Sequence, residues 1–372
     1  MNKFKFQSGT KVFFGANCLF DNKSEVTRLG KKAFIVTGKT SGIKSGALTD
    51  IISMLNEANI EYQIFDKIEN NPSLENVKEG GAACRQSKAD FIVGIGGGSP
   101  LDAAKAIAIL AVNDIEPIQL IKNQFTQKPL PIAAIPTTAG TGSEVTAASI
   151  LTIPEYETKM SFVHEDVFPK AAFLDAKYTE SMTRDIAVNT AIDAMSHAIE
   201  GYLNKIASTM SDVFALEALE IFGACIENLC EEKFDSETRE KLLYASMLAG
   251  LTIAQTGTTI AHGMGYSLTY FKDIPHGKAN GLLLAEYLRY NNEAAQGRVQ
   301  AVLKALNLIS IDDFEKIMNR LIRNDIDFTR EELKKYSSLA VKQKSTAKNL
   351  RSTSEEDMYR IMEKSLIDRG TH

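Results

Sequence analysis

Cysteine and histidine are scarce in this 372-residue sequence, and its net charge is slight. The four cysteines, Cys18, Cys84, Cys225 and Cys230, form no CxxC pair. That argues against a disulfide framework or a zinc knuckle, and for reduced thiols in a reducing compartment. A net charge of −5 gives no electrostatic reason to coat nucleic acid or anionic membrane. Long apolar runs are missing too: no stretch approaches the roughly 20 uninterrupted apolar residues of a spanning helix. The N-terminal MNKFKFQSGTKVFFG holds no continuous apolar core of signal-peptide length. A cytoplasmic protein without nucleic-acid or membrane partners is expected.

What is present is an ordinary globular composition, 44% hydrophobic and 24% charged. At roughly 100–200 residues per domain the length suggests two domains. In the first half, β-rich runs at Ala33–Thr37, Glu61–Phe65, Phe91–Ile95 and Ile132–Ile135 are separated by helical stretches, among them Ala47–Ala58 and Pro100–Val112. That alternation predicts βαβ units and a mostly parallel sheet. The run Lys3–Phe14, broken by Ser-Gly, reads as a hairpin. After about residue 180, Glu180–Leu203, Ser211–Cys230, Ser236–Gln255 and much of Ile309–Leu366 carry apolar residues at three- and four-residue spacing. The fold class expected is an α/β domain over 1–180 and an all-helical domain over 181–372. The basic stretch Arg330–Arg351 reads as a solvated helix face. A doubly wound sheet binds cofactors at its strand ends, and the helical half is expected to face it across a cleft.

The segment from Phe91 through Gly94, Gly96, Gly97, Gly98, Ser99 and Pro100 to Asp102 runs from strand into helix. Glycines let backbone amides approach a ligand, and a helix N-terminus behind them suits a pyrophosphate. Ser99 suits an N-cap, Pro100 the first helical position, and Asp102 a capping box. The match to G-x-G-x-x-G is imperfect, since Ser99 stands in place of the third glycine. A second cluster, Pro136–Thr146, follows the next strand; its Thr137, Thr138, Thr141, Ser143 and Thr146 can hydrogen-bond phosphate, ribose or carboxamide. Either segment can also be read as a structural turn or a flexible loop.

The five histidines are His164, His197, His262, His276 and the terminal His372. Asp193 and His197 lie four apart in a helical pattern, so both project from one face. A carboxylate with imidazoles suits Fe(II) or Zn(II). His262 and His276 supply a third and fourth ligand on that reading. Glu200, on the Asp193 face, reads as a partner supporting a ligand. Taken singly, each histidine reads more readily as a satisfied core or surface residue than as a ligand, and spacing alone does not bring distant segments together.

The segments GGGSPLDAAKAIA, PTTAGTGSEVT, DAMSHAIEGY, AHGMGY and IPHGKAN, in this order, resemble the iron-containing (group III) alcohol dehydrogenase family over nearly the whole chain. The resemblance implies a metal, usually iron with zinc in some relatives, held by Asp193, His197, His262 and His276. It implies that Gly97, Gly98, Ser99, Thr137, Thr138 and Ser143 lie along a nicotinamide cofactor, and that Lys159 reaches its ribose. It implies hydride transfer between that cofactor and a small alcohol or aldehyde, and a homodimer is expected. Tyr266 stands where many members have a further histidine. The position of Gly38, often acidic in members that prefer NAD, carries no carboxylate, and Lys39, Ser41 and Lys44 can bind a 2′-phosphate. NADP(H) is therefore expected over NAD(H), with Asp66 at the end of the next strand as the counter-argument. The competing readings on the same scaffold are a zinc-type polyol dehydrogenase and a dehydroquinate-synthase-like lyase. The lyase needs basic residues near the metal, where only Lys278 offers one. A metal-containing binding protein without catalysis is a third reading, opposed by intact loops and ligands.

Overall fold

Residues 3–322 and 325–368 are described by a computed structural model, so His372 lies outside the described residues. Residues 8–183 form one compact unit; the chain from Arg184 onward forms a second, with which the N-terminal residues to Gln7 cluster.

The first unit runs β1 (Lys11–Phe14), α1 (Cys18–Asp21), α2 (Ser24–Thr27), β2 (Lys32–Gly38), α3 (Ser41–Lys44), α4 (Ala47–Glu57), β3 (Glu61–Ile68), α5 (Leu74–Ser87), β4 (Phe91–Gly96), α6 (Gly98–Leu110), β5 (Ile132–Pro136), β6 (Ala148–Ile153), β7 (Thr158–Val163) and β8 (Ala171–Leu174). Six of the strands make one parallel sheet in the order β1-β8-β5-β4-β2-β3. Side-chain alternation in β2 sets its two faces. Ala33 and Ile35 join Ile51, Met54 and Leu55 of α4, whereas Phe34 and Val36 join Val77 of α5 and Ile107 of α6. With both faces covered, the central strands are continuously apolar. Because α4 crosses one face and α6 the other, the winding reverses between β2 and β4. The carboxyl ends there are the topological switch point at which such sheets bind ligands. Strands β6 and β7 pair with each other as an antiparallel hairpin.

The expected hairpin over Lys3–Phe14 does not form. Only Lys11–Phe14 is a strand, and its partner is the distant β8, in parallel. The residues before it are held elsewhere: Gln7 exchanges two hydrogen bonds with the Gln255 side chain (3.1 and 2.9 Å), and Phe6 packs on Phe214 at 5.7 Å between ring centroids.

The second unit is helical: α7 (Arg184–Tyr202), α8 (Thr209–Cys230), α9 (Ser236–Thr256), α10 (Ile260–Lys272), α11 (His276–Ala305), α12 (Ile311–Leu321), α13 (Arg330–Ala340) and α14 (Glu355–Leu366). Ser208, Asp235, Ser310, Thr329 and Ser354 each cap a helix by accepting from the N–H three residues on. From Ala191 to Tyr202, α7 is buried on every side, which marks it as the central helix. The first turn of α11 lies so close to α7 that a side chain at Gly277 would overlap the Asn189 carbonyl. The stretch Arg330–Arg351 is not one solvated face: α13 stops at Ala340, and Lys348 turns inward to donate to the Thr256 carbonyl at 3.1 Å. Among the described residues no helix is long and apolar enough to cross a membrane. The cysteines are free, with Cys18, Cys84 and Cys225 buried.

Candidate functional site

In the helical unit, α7 presents Asp193 and His197 one turn apart, while His262 and His276 stand in the first turns of α10 and α11. The Nε2 atoms of His197, His262 and His276 lie 3.9, 3.7 and 3.8 Å from Asp193 Oδ1. Donor atoms of Asp193, His262 and His276 all fall within 4.8 Å of one another. His197 is outside that tightest group but faces the same oxygen, its ring stacked on His262 at 4.7 Å. Three imidazole nitrogens around one carboxylate oxygen form the donor set of a divalent transition metal, so these residues fit the ion expected from the sequence. Asp193, His197 and His262 are buried, and His276 is the most accessible of the four. His164 is not in this group; it caps the turn Glu165–Val167 through Nδ1, which accepts from Asp166 N–H at 3.3 Å.

Glu200 has no exposed surface. Its Oε1 accepts from Thr259 N–H (3.0 Å), Thr259 Oγ1 (2.6 Å), Ala261 N–H (3.0 Å) and His262 N–H (3.3 Å), while Oε2 faces His262 Nδ1. The carboxylate thus caps α10 and turns His262 Nε2 towards Asp193. Burial pushes the Glu200 carboxyl up, but the facing His262 and the Thr259 donors bring it below its ordinary value. Burial draws His262 down, and Glu200 with Asp193 outweigh that, lifting it to about 9. Asp193 is likewise raised by burial and pulled well below its usual range by the imidazoles.

Sequence spacing missed Asn280, one turn beyond His276. Its Nδ2 lies 3.2 Å from Asp193 Oδ1, 3.2 Å from His262 Nε2 and 3.4 Å from His276 Nε2. The four-residue rule that pairs Asp193 with His197 would have found it. Tyr266, one turn beyond His262, stacks on His276 at 5.4 Å between centroids and 17° between planes.

In the α/β unit the glycine turn follows β4. Gly96 has φ +145°, and a β-carbon there would come within 2.6 Å of the Pro100 ring, so only glycine fits. The helix starts two residues earlier than the capping pattern suggests. Gly97 is the N-cap and Gly98 the first helical residue, which puts Pro100 third. Ser99 is therefore not the cap; its Oγ accepts from Asn71 N–H at 3.0 Å. Asp102 closes no capping box, because its carboxylate is taken by Ser143 Oγ (2.6 Å) and Ile150 N–H (3.1 Å).

The Pro136–Thr146 loop leaves the neighbouring strand, Gly96 pairing with Pro136, and Thr137 N–H donates to the Gly96 carbonyl at 2.9 Å. Thr138 and Thr141 are partly exposed, whereas Asp102, Ser143 and Thr146 are buried behind them. Lys159 Nζ donates to Asn71 Oδ1 at 2.7 Å, which joins Lys159, Asn71 and Ser99 in one cluster. Asn71 is a second residue the sequence did not reveal. At the end of β2, Lys39 and Lys44 are exposed and Ser41 is half-buried beside Gly38. β3 continues to Ile68, which pairs with Gly38, so Asp66 lies inside the strand, and the acid at its end is Glu69.

Residues 9–176 match the iron-containing alcohol dehydrogenase family, and residues 187–366 match the C-terminal part of the Fe-containing alcohol dehydrogenase family. The chain is 33% identical to lactaldehyde reductase of Escherichia coli K12, over 80% of this chain and 78% of that one. It is 32% identical to an NADPH-dependent butanol dehydrogenase of Clostridium saccharobutylicum, over 86% of this chain and 81% of that one. A solved iron-containing alcohol dehydrogenase of Thermotoga maritima superposes with a TM-score of 0.91 at 39% identity, covering 98% of this chain and 99% of the other. These likenesses favour this family over a polyol dehydrogenase or a lyase. The chain belongs to the iron-containing alcohol dehydrogenase family and is a metal-dependent oxidoreductase of alcohols and aldehydes.

Proposed function

We propose that the enzyme is an NADP(H)-dependent reductase and dehydrogenase of small primary aldehydes and alcohols. In this reading Asp193, His197, His262 and His276 hold Fe(II), or Zn(II) as in some relatives. The observation that carries it is the convergence of three imidazole Nε2 atoms on Asp193 Oδ1, at 3.7 to 3.9 Å. When bound, the metal supplies Lewis acidity to the substrate oxygen and the nicotinamide gives or takes the hydride.

The chain's own groups prepare for this. Glu200 keeps the proton on His262 Nδ1, leaving Nε2 as a lone-pair donor. Asn280 Nδ2 donates to Asp193 Oδ1 and holds that carboxylate in place. Gly96, Gly97 and Gly98 keep side chains away from the start of α6, whose free amides suit a pyrophosphate. Ser99, Thr137, Thr138 and Thr141 offer hydroxyls, Lys159 with Asn71 offers a ribose contact, and Asp102, Ser143 and Thr146 form the inner layer. Gly38, Lys39, Ser41 and Lys44 favour the 2′-phosphate of NADP(H), and the NADPH-dependent relative agrees with that choice; Glu69 is the acid that would oppose it. Cofactor binding thus falls to residues 1–180, less the first seven, and metal binding to 181–372. We further assign a cytoplasmic homodimer, supported by free cysteines and by the exposed Phe4, Phe6 and Val213 on the helical unit.

The test is consumption of NADPH against NADH by the Fe(II)-loaded enzyme over a panel of small aldehydes. His276→Ala should lose bound metal and more than about 100-fold in activity, with an unchanged circular dichroism spectrum. Full metal content in that variant would remove His276 from the site.

A further inference from the structure

A lysine with no exposed surface sits in the middle of an apolar helix. Lys105 and all its neighbours in α6 from Pro100 to Leu110 are buried. Lysine is almost never fully buried unless paired, because an ammonium gives up strong hydration. Here its three N–H donors meet three oxygens: Ser143 Oγ at 2.7 Å, Thr146 Oγ1 at 3.2 Å and the Ala148 carbonyl at 2.7 Å. One turn earlier, Asp102 accepts from Ser143 Oγ at 2.6 Å and from Ile150 N–H at 3.1 Å, and its carbonyl accepts from Ser149 Oγ at 2.8 Å. The Ser143 hydroxyl is shared, donating to Asp102 and accepting from Lys105.

All these partners lie between Ser143 and Ile150, the segment that closes the PTTAGTG loop. The other end of the loop is tied to the glycine turn by Thr137 N–H and the Gly96 carbonyl. A loop of small residues has few side chains with which to hold itself, and ordering it on binding weakens affinity. Helix α6 starts at the glycine turn and carries Lys105 about two turns on, so the network joins turn, helix and loop.

We propose that Lys105 is a positioning residue for the dinucleotide: through Ser143, Thr146 and Ala148 it fixes the PTTAGTG loop against the GGGS turn before the cofactor arrives. The inference rests on the reading of these loops as the cofactor site. Being enclosed, Lys105 acts through the loop and not by contact.

The experiment measures NADPH and NADH binding to the metal-loaded enzyme without substrate, by nicotinamide fluorescence, alongside steady-state kinetics and bound metal. Lys105→Met should raise the cofactor Kd about tenfold or more. Its cofactor KM should rise in step, while kcat at saturating cofactor stays within about threefold and metal content is unchanged. Thr146→Val removes one acceptor at nearly constant shape and should raise Kd by a smaller factor, about two- to fivefold. A folded Lys105→Met variant with wild-type Kd overturns the proposal. If Lys105→Met does not fold, an unchanged Kd in Thr146→Val overturns it instead. A wild-type enzyme that binds neither nucleotide would sink the cofactor reading itself, an outcome separate from either variant's.

Discussion

On the proposed reading of the cofactor, Gly38 is the residue at which the choice between NADPH and NADH can be tested. A β-carbon there would stand 3.2 Å from Ser41 Oγ and 3.4 Å from the Ile68 carbonyl, tight but relieved by rotation of the serine. Gly38→Asp should therefore fold, and its carboxylate would face the 2′-phosphate of NADPH. Like-charge juxtaposition costs several kcal/mol, so kcat/KM with NADPH should fall by about an order of magnitude or more while NADH loses little. An equal loss with both cofactors would return the blame to general disruption. Glu144 offers a different single-residue test. Burial pushes its carboxyl up to about 7, opposed by its own backbone amide and by Lys105. A carboxyl raised in the folded state stabilises the fold below its unfolded value near 4.5, and that stability is lost as pH rises through 7. Glu144→Gln should match the wild type in melting temperature near pH 5 and exceed it near pH 8. A difference between the two proteins that does not change with pH would mean that Glu144 does not titrate in this window.

Elements bring the ligands together, and α11 approaches α7 closely at Gly277. An alanine there overlaps the Asn189 carbonyl and presses to 3.2 Å on Asp193 Cβ. Overpacking of this kind costs roughly 1–3 kcal/mol. Gly277→Ala should lower the unfolding midpoint and also the bound metal, because His276 and Asn280 move with the helix. Metal stoichiometry and midpoint both at wild-type values would show that the contact is not needed. The same geometry explains what could be read from the sequence. Asp193 with His197 was legible because one turn of one helix relates them. Strands β2 and β4 were legible because burial on both faces leaves unbroken apolar runs. Ser99 was misread as a cap because its hydroxyl serves Asn71 N–H, on a segment that local spacing cannot see. The N-terminal pattern was misread because the partner of β1 is β8, far along the chain. The hairpin β6–β7 went unrecognised because Ser149, Thr152, Lys159 and Ser161 interrupt its apolar residues.

At the scale of the whole molecule the proposed function gives the two ligands separate addresses, and that is testable without turnover. The four proposed metal donors all belong to the helical unit, and the glycine turn, the Pro136–Thr146 loop and Lys159 all belong to the α/β unit. A ligand that binds only the folded form stabilises it by about 2.7 kcal/mol at 100 times its Kd. Amides that exchange by opening that site should then slow by about 100-fold. Hydrogen exchange followed by mass spectrometry should show Fe(II), added to chelator-treated protein, protecting peptides across His197, Thr259–Tyr266 and His276–Asn280. NADPH added alone should protect peptides across Gly96–Asp102 and Thr137–Thr146 instead. The hydrogen bonds that Glu200 accepts from the Thr259, Ala261 and His262 amides at the start of α10 make that segment the most responsive to metal, since opening it breaks the support of His262. Protection of the glycine turn by metal with none at α10 would contradict the assignment of the four ligands. Protection by NADPH confined to the helices would contradict the assignment of the loops.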